Sequence, residues 1–295
     1  MTDTVLELRH VSKAFGMNVA MDDVSYEVKR GTVFALLGEN GAGKTTTIRI
    51  LLGLCEPDRG ESTVLGLDSR RDDLKIRQSV GYVPEQPILY DWMTVGEIGR
   101  FTAAFYPTGY MQRYSELIAE YELNEQATIK SLSKGMRAKV SLALALAHDP
   151  ELLILDEPTS GLDAMVRREF LESMVDRAAT GKTVFLSSHQ IGEVERVADT
   201  VAIMKKSKLL LVEPLDELKA TTHLLTVTLK ENPVAVMDPP FETVVELRIH
   251  GREFRLLGRG LKPDAEKRLA GDPNVVRFEL KSPSLEEIFI AYMSK

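Results

Sequence analysis

The segment with the clearest chemistry combines three glycines with a lysine and a threonine near the start of the sequence. It consists of Gly38, Glu39, Asn40, Gly41, Ala42, Gly43, Lys44 and Thr45, with Thr46 next. Glycines let backbone N–H groups surround a β-phosphate, the lysine reaches β- and γ-phosphate oxygens, and the threonine hydroxyl ligates Mg²⁺. A predicted strand, TVFALLG, precedes the segment, and a predicted helix, KTTTIRILLGL, follows it. This order of strand, loop and helix argues against the alternative, a glycine-rich turn that matches the pattern by chance. The spacing therefore predicts a loop that binds the phosphates of a nucleotide such as MgATP, which by itself leaves kinases, GTPases, helicases and transport ATPases all open.

Two adjacent carboxylates end the apolar segment LLILDE. A buried strand of this kind would deliver Asp156 to its carboxyl end, where the side chain can hold Mg²⁺, with Glu157 beside it to polarise an attacking water. The alternative is an acidic pair in an ordinary solvated turn. The position after an apolar strand and downstream of a phosphate loop favours the catalytic interpretation.

The segment SLSKGM, residues 131–136, opens a predicted helix about twenty residues before LLILDE. Alone, Ser131 or Ser133 would be a helix cap. Together with the two preceding motifs, however, the sequence resembles the ATP-binding-cassette (ABC) family, whose signature motif lies at this place. The resemblance covers about residues 4–220. It implies that Ser133 and the backbone of Gly135 contact the γ-phosphate of ATP bound to a second subunit, so that dimerisation is part of catalysis.

Three further segments follow the order of the same family. Asp163 in SGLD resembles the D-loop residue, and His189 in FLSSHQ resembles the switch histidine. At a strand end, His189 would hydrogen-bond the γ-phosphate and help to orient water, whereas the alternative is a capping or surface histidine. Phe15 matches the aromatic residue that stacks on adenine, although an isolated phenylalanine is more often part of a core.

Two positions depart from the family pattern. The glutamine that follows a Tyr-x-Pro segment in the family aligns with Glu85, and Gln86 is the next residue. Both are candidate ligands of Mg²⁺ or of its bound water. The signature reads LSKGM instead of LSGGQ, which puts Lys134 near the expected phosphates of the partner's ATP, where its charge would assist or tolerate binding.

The elements that must position these residues follow an α/β pattern. The stretch from Val5 to about Arg30 predicts an antiparallel β-region, and about residues 86–149 predict helices. After them, LLILD, TVFLSS and TVAIMKK alternate with the helical patterns MVRREFLESMVDRAA, ended by Gly181, and IGEVERVA, which predicts a parallel sheet. With the resemblance, the fold class is α/β, a P-loop NTPase of the ABC ATPase type with a parallel sheet core, an antiparallel β-subdomain and a helical subdomain.

We expect two domains: a nucleotide-binding domain at residues 1–220, with its helical subdomain at about 86–149, and a small α+β accessory domain at residues 221–295. In the second, LLTVTLKEN and VVELRIHGREFRLLG alternate like strands, with His250 and Gly251 as a hairpin turn. The proline-rich ENPVAVMDPP lies between them. The last helix is predicted to begin at Ser284, in a capping box with Glu287.

The composition indicates in which cellular compartment the protein is expected and which classes of partner are not expected. The net charge of −7 argues against a broad basic surface, so no nucleic acid partner is expected. The single cysteine, Cys55, cannot form an internal disulfide, and no apolar run is long enough to span a membrane. A cytoplasmic protein, peripheral on the inner face of the cell membrane, fits these features and the resemblance.

The resemblance implies an ATP-binding and ATP-hydrolysing subunit that forms a homodimer or heterodimer over two MgATP and drives transport through separate transmembrane permease subunits. These would dock at about residues 86–95, where Tyr90 and Trp92 are candidate contacts unless they pack within the helical subdomain. The motifs SKGMR and SLEEIFIAYM resemble those of bacterial exporters for drugs, polysaccharides or lipids. The alternatives are a non-transport ABC ATPase acting in translation or DNA maintenance and, less consistent with the motifs, a small-molecule phosphotransferase.

Overall fold

The computed structural model describes residues 3–231 and 239–294. The chain divides into two compact units, one formed by Met1–Gln190 with Val197–Val212 and the other by Ile191–Arg196 with Glu213–Lys295. The strands are β1 (Thr4–Phe15), β2 (Asn18–Lys29), β3 (Val33–Gly38), β4 (Arg59–Val64), β5 (Leu67–Asp68), β6 (Val80–Val83), β7 (Leu152–Asp156), β8 (Thr183–Ser188), β9 (Thr200–Lys205), β10 (Lys208–Pro214), β11 (Thr222–Leu229), β12 (Phe241–His250), β13 (Glu253–Leu261) and β14 (Val275–Lys281). The helices are α1 (Lys44–Leu51), α2 (Asp73–Ser79), α3 (Val95–Ala103), α4 (Tyr110–Glu120), α5 (Lys134–Leu146), α6 (Ala164–Ala179), α7 (Ile191–Val194), α8 (Leu215–Thr221), α9 (Ala265–Gly271) and α10 (Leu285–Ser294).

A six-stranded sheet forms the centre of the first unit, in the order β10-β9-β3-β8-β7-β6. The pairs β3–β8, β3–β9, β7–β8 and β6–β7 are parallel, which confirms the predicted parallel sheet. Strands β3, β7 and β8 are buried along their whole length, as their apolar composition requires. Because β8 lies between β3 and β7, the carboxyl ends of these three strands meet at one edge of the sheet.

The predicted antiparallel β-region and helical insertion are both present in the first unit. The strands β1 and β2 pair antiparallel, and β4 and β5 extend the same sheet. The helices α3, α4 and α5 enclose their own apolar core, in which Tyr114 is fully buried. Gly99 of α3 lies directly under the ring of Tyr114, where a Cβ would collide. The helical part is thus a separate packing unit attached to the parallel sheet.

The helix predicted from IGEVERVA is shorter in the structure. Only α7, a single turn, is helical, and turns follow it. The cause is the anchoring of Asp199, which accepts a hydrogen bond from Val33 N at 2.7 Å and donates its own N–H to Val33 O at 2.9 Å. These bonds hold the chain in an extended path into β9. The other helix end was predicted correctly, because Gly181 has a φ of +83° just after α6.

The second unit contains a four-stranded sheet in the order β12-β13-β11-β14, with antiparallel neighbours, and the helices α8, α9 and α10. It begins at Glu213, before the boundary expected at residue 220, because α8 packs on β11 and β13. The hairpin turn is Gly251 and Arg252 rather than His250 and Gly251, because His250 still pairs with Glu253. Gly251 supplies the positive φ that a two-residue turn needs. Residues 232–238 of the proline-rich segment lie outside the described residues.

The capping box at the start of α10 is confirmed. Ser284 N donates to Glu287 Oε2 at 3.0 Å, and Glu287 N donates to Ser284 Oγ at 3.2 Å. Although partial burial acts in the opposite direction, the hydrogen bond from Ser284 and the charges of Lys281 and Arg255 keep the pKa of Glu287 below its usual range. In the described part of the chain, no helix is both long and apolar enough to cross a membrane.

Removal of this cap should loosen α10. We expect Ser284→Ala to cost about 1 kcal/mol of local stability, because one orphan helix N–H loses its acceptor. Native-state hydrogen exchange of the α10 amides measures this as a roughly fivefold faster opening. The matched control is Ser282→Ala, whose exposed hydroxyl makes only a long 3.4 Å contact to Lys219 O. Equal effects of the two substitutions would contradict the capping role.

Candidate nucleotide site

The loop between β3 and α1 is shaped by its glycines. Gly41 and Gly43 have φ values of +81° and +111°, in the region that side chains avoid. A Cβ on Gly43 would also collide with Ala20 O, and one on Gly38 would lie 2.7 Å from Met204 O. The loop therefore folds closely against β2 and β9 and presents its backbone N–H groups at the N-terminus of α1, an arrangement suited to an anion. Thr45 and Thr46 lie in the first turn of α1, half-buried.

Lys44 turns back over this loop. Its side chain is only 6% exposed, and Nζ donates to Gly38 O at 2.7 Å and to Glu39 O at 3.3 Å. Nζ also lies 3.1 Å from Oε1 of Glu157, itself 7% exposed. The two groups are close enough to form an ion pair. Their geometry is not that of a hydrogen bond, so the buried Oε1 of Glu157 has no hydrogen-bond donor among the described residues. The lysine and the predicted catalytic carboxylate are thus neighbours.

The two carboxylates at the end of β7 are both buried, and Ser187 of β8 links the side chain of Asp156 to the backbone of Glu157. Ser187 Oγ donates to Asp156 Oδ1 at 2.6 Å and accepts from Glu157 N at 3.1 Å. The sequence motifs do not single out Ser187, although two buried serines, Ser187 and Ser188, at the end of a largely apolar strand are unusual in a core. Glu157 has a φ of +49°, which costs a non-glycine residue about 1–3 kcal/mol. The hydrogen bond to Ser187 helps to hold this strained position.

His189 completes the cluster on the other side of Glu157. Its Nδ1 lies 2.7 Å from Glu157 Oε2, and its backbone N–H donates to the same oxygen at 3.2 Å. Because an ionised carboxylate only accepts, Nδ1 carries the proton in this contact, which leaves Nε2 of the half-exposed ring for a ligand. The contact with Glu157 distinguishes His189 from a simple surface or capping histidine.

The residues of the resembling signature and D-loop begin the two helices α5 and α6. Ser133 is exposed and its Oγ accepts from Met136 N at 3.2 Å, so it does cap α5. Asp163 likewise caps α6, and Gly135 faces Val166, whose methyl would lie 3.3 Å from an added Cβ. The ammonium of Lys134 contacts Gly161 of the same chain. The described hydrogen bonds of Ser133 and Asp163 run to their own helices, not to the cluster around Glu157.

The remaining predicted residues lie at the margins of the site. Phe15, at the end of β1, is 50% exposed, and Lys13 Nζ lies 5.3 Å from its ring centroid, so Phe15 is available for stacking and is not part of the core. Glu85 and Gln86 are both exposed and follow β6. Since Val83 of β6 pairs with Leu155 of β7, this segment leaves the sheet beside the two carboxylates.

The donor set suits Mg²⁺ in a nucleotide site. Mg²⁺ prefers hard oxygen ligands and is usually held by one or two carboxylates together with substrate phosphates. Among the described residues, no three or more His, Cys, Asp or Glu side chains are arranged so that they could hold a metal ion by themselves. Burial and the negative charge of Asp156 raise the pKa of Tyr82 to about 12. Asp156, which is 2% exposed, offers carboxylate oxygens of the kind that Mg²⁺ prefers at this edge.

Comparison with known proteins identifies the family. The sequence matches the family model described as ABC transporter over residues 21–160. YxlF of Bacillus subtilis (strain 168), an uncharacterized ABC transporter ATP-binding protein, is 33% identical over 305 residues of alignment, covering 97% of this chain and 98% of that protein. The chain belongs to the ABC transporter family. It is an ATP-binding cassette with the P-loop NTPase fold, which confirms the family and the fold class expected from sequence.

Two further comparisons agree with this result. YbhF of Escherichia coli (strain K12), a probable multidrug ABC transporter ATP-binding protein, is 37% identical over 227 residues, or 74% of this chain, and the chain spans only 38% of that relative. A solved ATP-binding subunit of an ABC transporter has 33% identity and a TM-score of 0.68, covering 74% of this chain and 92% of that one. None of these three relatives is named for translation or DNA maintenance.

Proposed function

We propose that this cassette hydrolyses ATP with Mg²⁺ and drives export through separate transmembrane subunits. The observation that carries the proposal is one continuous set of contacts at the sheet edge. It runs from Lys44 to Glu157 at 3.1 Å and from Glu157 to His189 at 2.7 Å, with Asp156 joined through Ser187. A phosphate-binding cation, a metal-binding carboxylate, a general base and an orienting histidine are the groups that phosphoryl transfer to water needs.

Each residue has a defined task. The backbone N–H groups from Gly38 to Thr46 and the Lys44 ammonium bind the phosphates, whose oxygens replace Gly38 O and Glu39 O as acceptors for Nζ. Thr45 and Asp156 would hold Mg²⁺, with Glu85 or Gln86 as a further candidate oxygen ligand. Bound Mg²⁺ would neutralise charge on the β- and γ-phosphates. Phe15 stacks on the adenine ring.

Glu157 acts as the general base through one particular oxygen. Its Oε2 is fixed by two hydrogen bonds from His189, whereas Oε1 is buried without a hydrogen bond. When Lys44 turns to the phosphates, Oε1 becomes the acceptor for the attacking water. His189 thereby orients the carboxylate, and its Nε2 is left to contact the γ-phosphate.

Two subunits, either identical or different, close over two MgATP. In each, the exposed hydroxyl of Ser133 and the backbone of Gly135 present the N-terminus of α5 to the ATP of the other subunit. Asp163 is exposed and caps the helix α6, whose Val166 lies against Gly135. Since neither side chain joins the cluster around Glu157 in its own chain, their task is assigned to the second subunit.

The transmembrane partner docks on an exposed aromatic patch formed by Tyr90, Trp92, Phe101 and Phe105. Neighbouring rings are 5.6–6.0 Å apart, and Trp92 is 72% exposed, so it is not packed within the helical part. Next to it, Ile88 lines a cavity of about 350 Å³ together with Tyr82 and Leu54. A contiguous exposed apolar surface of this kind marks an interaction site. Docking to a permease would hold the cassette at the cytoplasmic face of the membrane.

Identification of the partner tests the transport function. Tagged Glu157→Gln protein is expressed in its native cell, membranes are solubilised in mild detergent with MgATP, and co-purifying proteins are identified by mass spectrometry. We expect a stoichiometric membrane protein with several spanning segments. Ribosomal or DNA-repair proteins without a membrane protein would instead support the non-transport alternative.

The aromatic patch should be required for this capture. We expect Trp92→Ala to reduce the recovered membrane protein about five- to tenfold, since a central aromatic contact contributes more than about 1 kcal/mol to an interface. The control is Leu210→Ala, an exposed apolar residue on β10, outside the patch. Both variants should retain MgATP binding. Equal recovery with Trp92→Ala and the unaltered chain would assign docking to another surface.

A further inference from the structure

The segment that carries Tyr90 and Trp92 is hydrogen-bonded to the segment that leads into the signature residues. Residues 91–96 lie beside residues 125–130. The backbone bonds are Gly96 N to Glu125 O at 2.9 Å, Val95 N to Ala127 O at 2.9 Å, Ile129 N to Met93 O at 2.8 Å and Lys130 N to Asp91 O at 3.1 Å, with a bridge between Thr94 and Thr128. Thus the docking segment and the approach to Ser133 form one small ladder.

The ladder continues directly into α5. Residues 129–131 form a short 3-10 turn, in which Leu132 N donates to Ile129 O at 3.2 Å and Ser131 Oγ donates to Thr128 O at 2.7 Å. Ser133 then caps α5. Only Ser131 and Leu132 separate the last ladder bond, at Lys130, from Ser133, and both are held by hydrogen bonds of the turn. A displacement of the ladder should therefore also displace Ser133.

A side-chain contact closes the same connection from the other side. Arg137 Nη2 donates to Asp91 Oδ1 at 2.7 Å, and Arg137 N donates to Ser133 O at 2.9 Å. Asp91 immediately precedes Trp92, while Arg137 is one helical turn after Ser133. The signature turn, residues 133–137, is therefore attached to Asp91 both through the Lys130 backbone and through the Arg137 guanidinium.

We propose that Asp91 and Arg137 are positioning residues that lock the signature turn to the docking segment. Engagement of the signature turn by the ATP of a second subunit then shifts the surface under Trp92, and docking of a membrane partner acts on the signature turn by the same contact. The inference rests on the proposed function, since it assumes that Ser133 engages ATP of a second subunit. The pair is half-exposed, so its role is geometric more than stabilising.

The chain contains its own reporter, because Trp92 is its single tryptophan and lies next to Asp91. In full-length Glu157→Gln protein, addition of MgATP should cause the chain to dimerise, which light scattering measures. It should also change the fluorescence emission of Trp92. Asp91→Ala in the same background should reduce this emission change about two- to fivefold, the population shift expected for loss of a half-exposed ion pair. MgATP affinity of the monomeric chain, measured below the concentration at which it dimerises, should stay the same, because neither residue contacts the phosphate loop of its own chain.

Two controls separate positioning from a merely structural effect. Glu116→Ala removes an ion pair of similar exposure with Arg113, which lies within α4 and does not connect to the docking segment, and should leave the emission change intact. The charge-exchanged pair Asp91→Arg with Arg137→Asp should restore it. A full emission change in Asp91→Ala, or no restoration by the exchange, would overturn the inference. Failure of the Glu157→Gln parent to dimerise would instead overturn the proposed function, and this inference with it.

Discussion

Glu157→Gln should lower the rate of ATP hydrolysis by about a hundredfold or more while MgATP binding is retained, because a positioned general base contributes about 10²–10⁴-fold. The amide keeps the size and shape of the side chain. Its oxygen can accept the two hydrogen bonds that His189 now gives to Oε2. Its NH₂ group then occupies the position of Oε1 and cannot accept a hydrogen bond from the attacking water.

The measurement compares phosphate release at saturating MgATP with the equilibrium binding of a fluorescent ATP analogue. Glu151→Gln is the matched control, because Glu151 precedes the other end of β7 and pairs with Arg30. We expect its turnover to equal that of the unaltered chain. Normal turnover of Glu157→Gln would remove Glu157 from the chemistry, and a parallel loss of binding would indicate a structural effect instead.

The local structures that the sequence predicted correctly are those that depend on short segments. The strand, the glycine-rich loop and the helix follow one another directly along the chain. The strand β3, the helix α1 and the backbone N–H groups at Lys44 could therefore be predicted together. The same holds for the capping box of Ser284 and Glu287. In each case a few neighbouring side chains determine the backbone geometry without help from the rest of the chain.

Other contacts depend on the order of strands in the sheet, which a sequence with parallel strands does not specify. The placement of β8 between β3 and β7 brings Ser187 to Asp156 and His189 to Glu157. The contact of Lys44 with Glu157 has the same origin. A pattern of buried strands predicts that their carboxyl ends share an edge, but not which strand lies in the middle.

Tertiary anchoring explains the differences in local structure. The pattern IGEVERVA favours a helix by periodicity, yet the two hydrogen bonds between Asp199 and Val33 draw the chain into β9 after one turn. The ion pair between Asp91 and Arg137 is likewise invisible to periodicity, since 46 positions separate the two residues. Such contacts depend on which surfaces meet after folding, and a local pattern carries no information about this.

Lys44→Ala should weaken MgATP binding by about 10- to 100-fold, because a hydrogen bond to a charged group contributes about 1.5–3 kcal/mol. In the structure the ammonium is buried, and its acceptors are two loop carbonyl oxygens and the nearby Glu157. Phosphate oxygens carry more charge than these carbonyls and would be the preferred partners. The affinity is measured by titration with a fluorescent ATP analogue, and Lys208→Ala, which removes an exposed lysine paired with Asp22, is the control.

The two variants should separate binding from chemistry although their side chains lie only 3.1 Å apart. Without Lys44, Glu157 Oε1 loses its nearest positive charge, so part of the loss in Lys44→Ala could come from a disturbed carboxylate. The double variant Lys44→Ala with Glu157→Gln removes that contribution, because the neutral amide needs no counter-charge. If Lys44 acts on the phosphates, the double variant should bind MgATP about as weakly as Lys44→Ala alone. Recovery of affinity in the double variant would show that the lysine serves Glu157 instead.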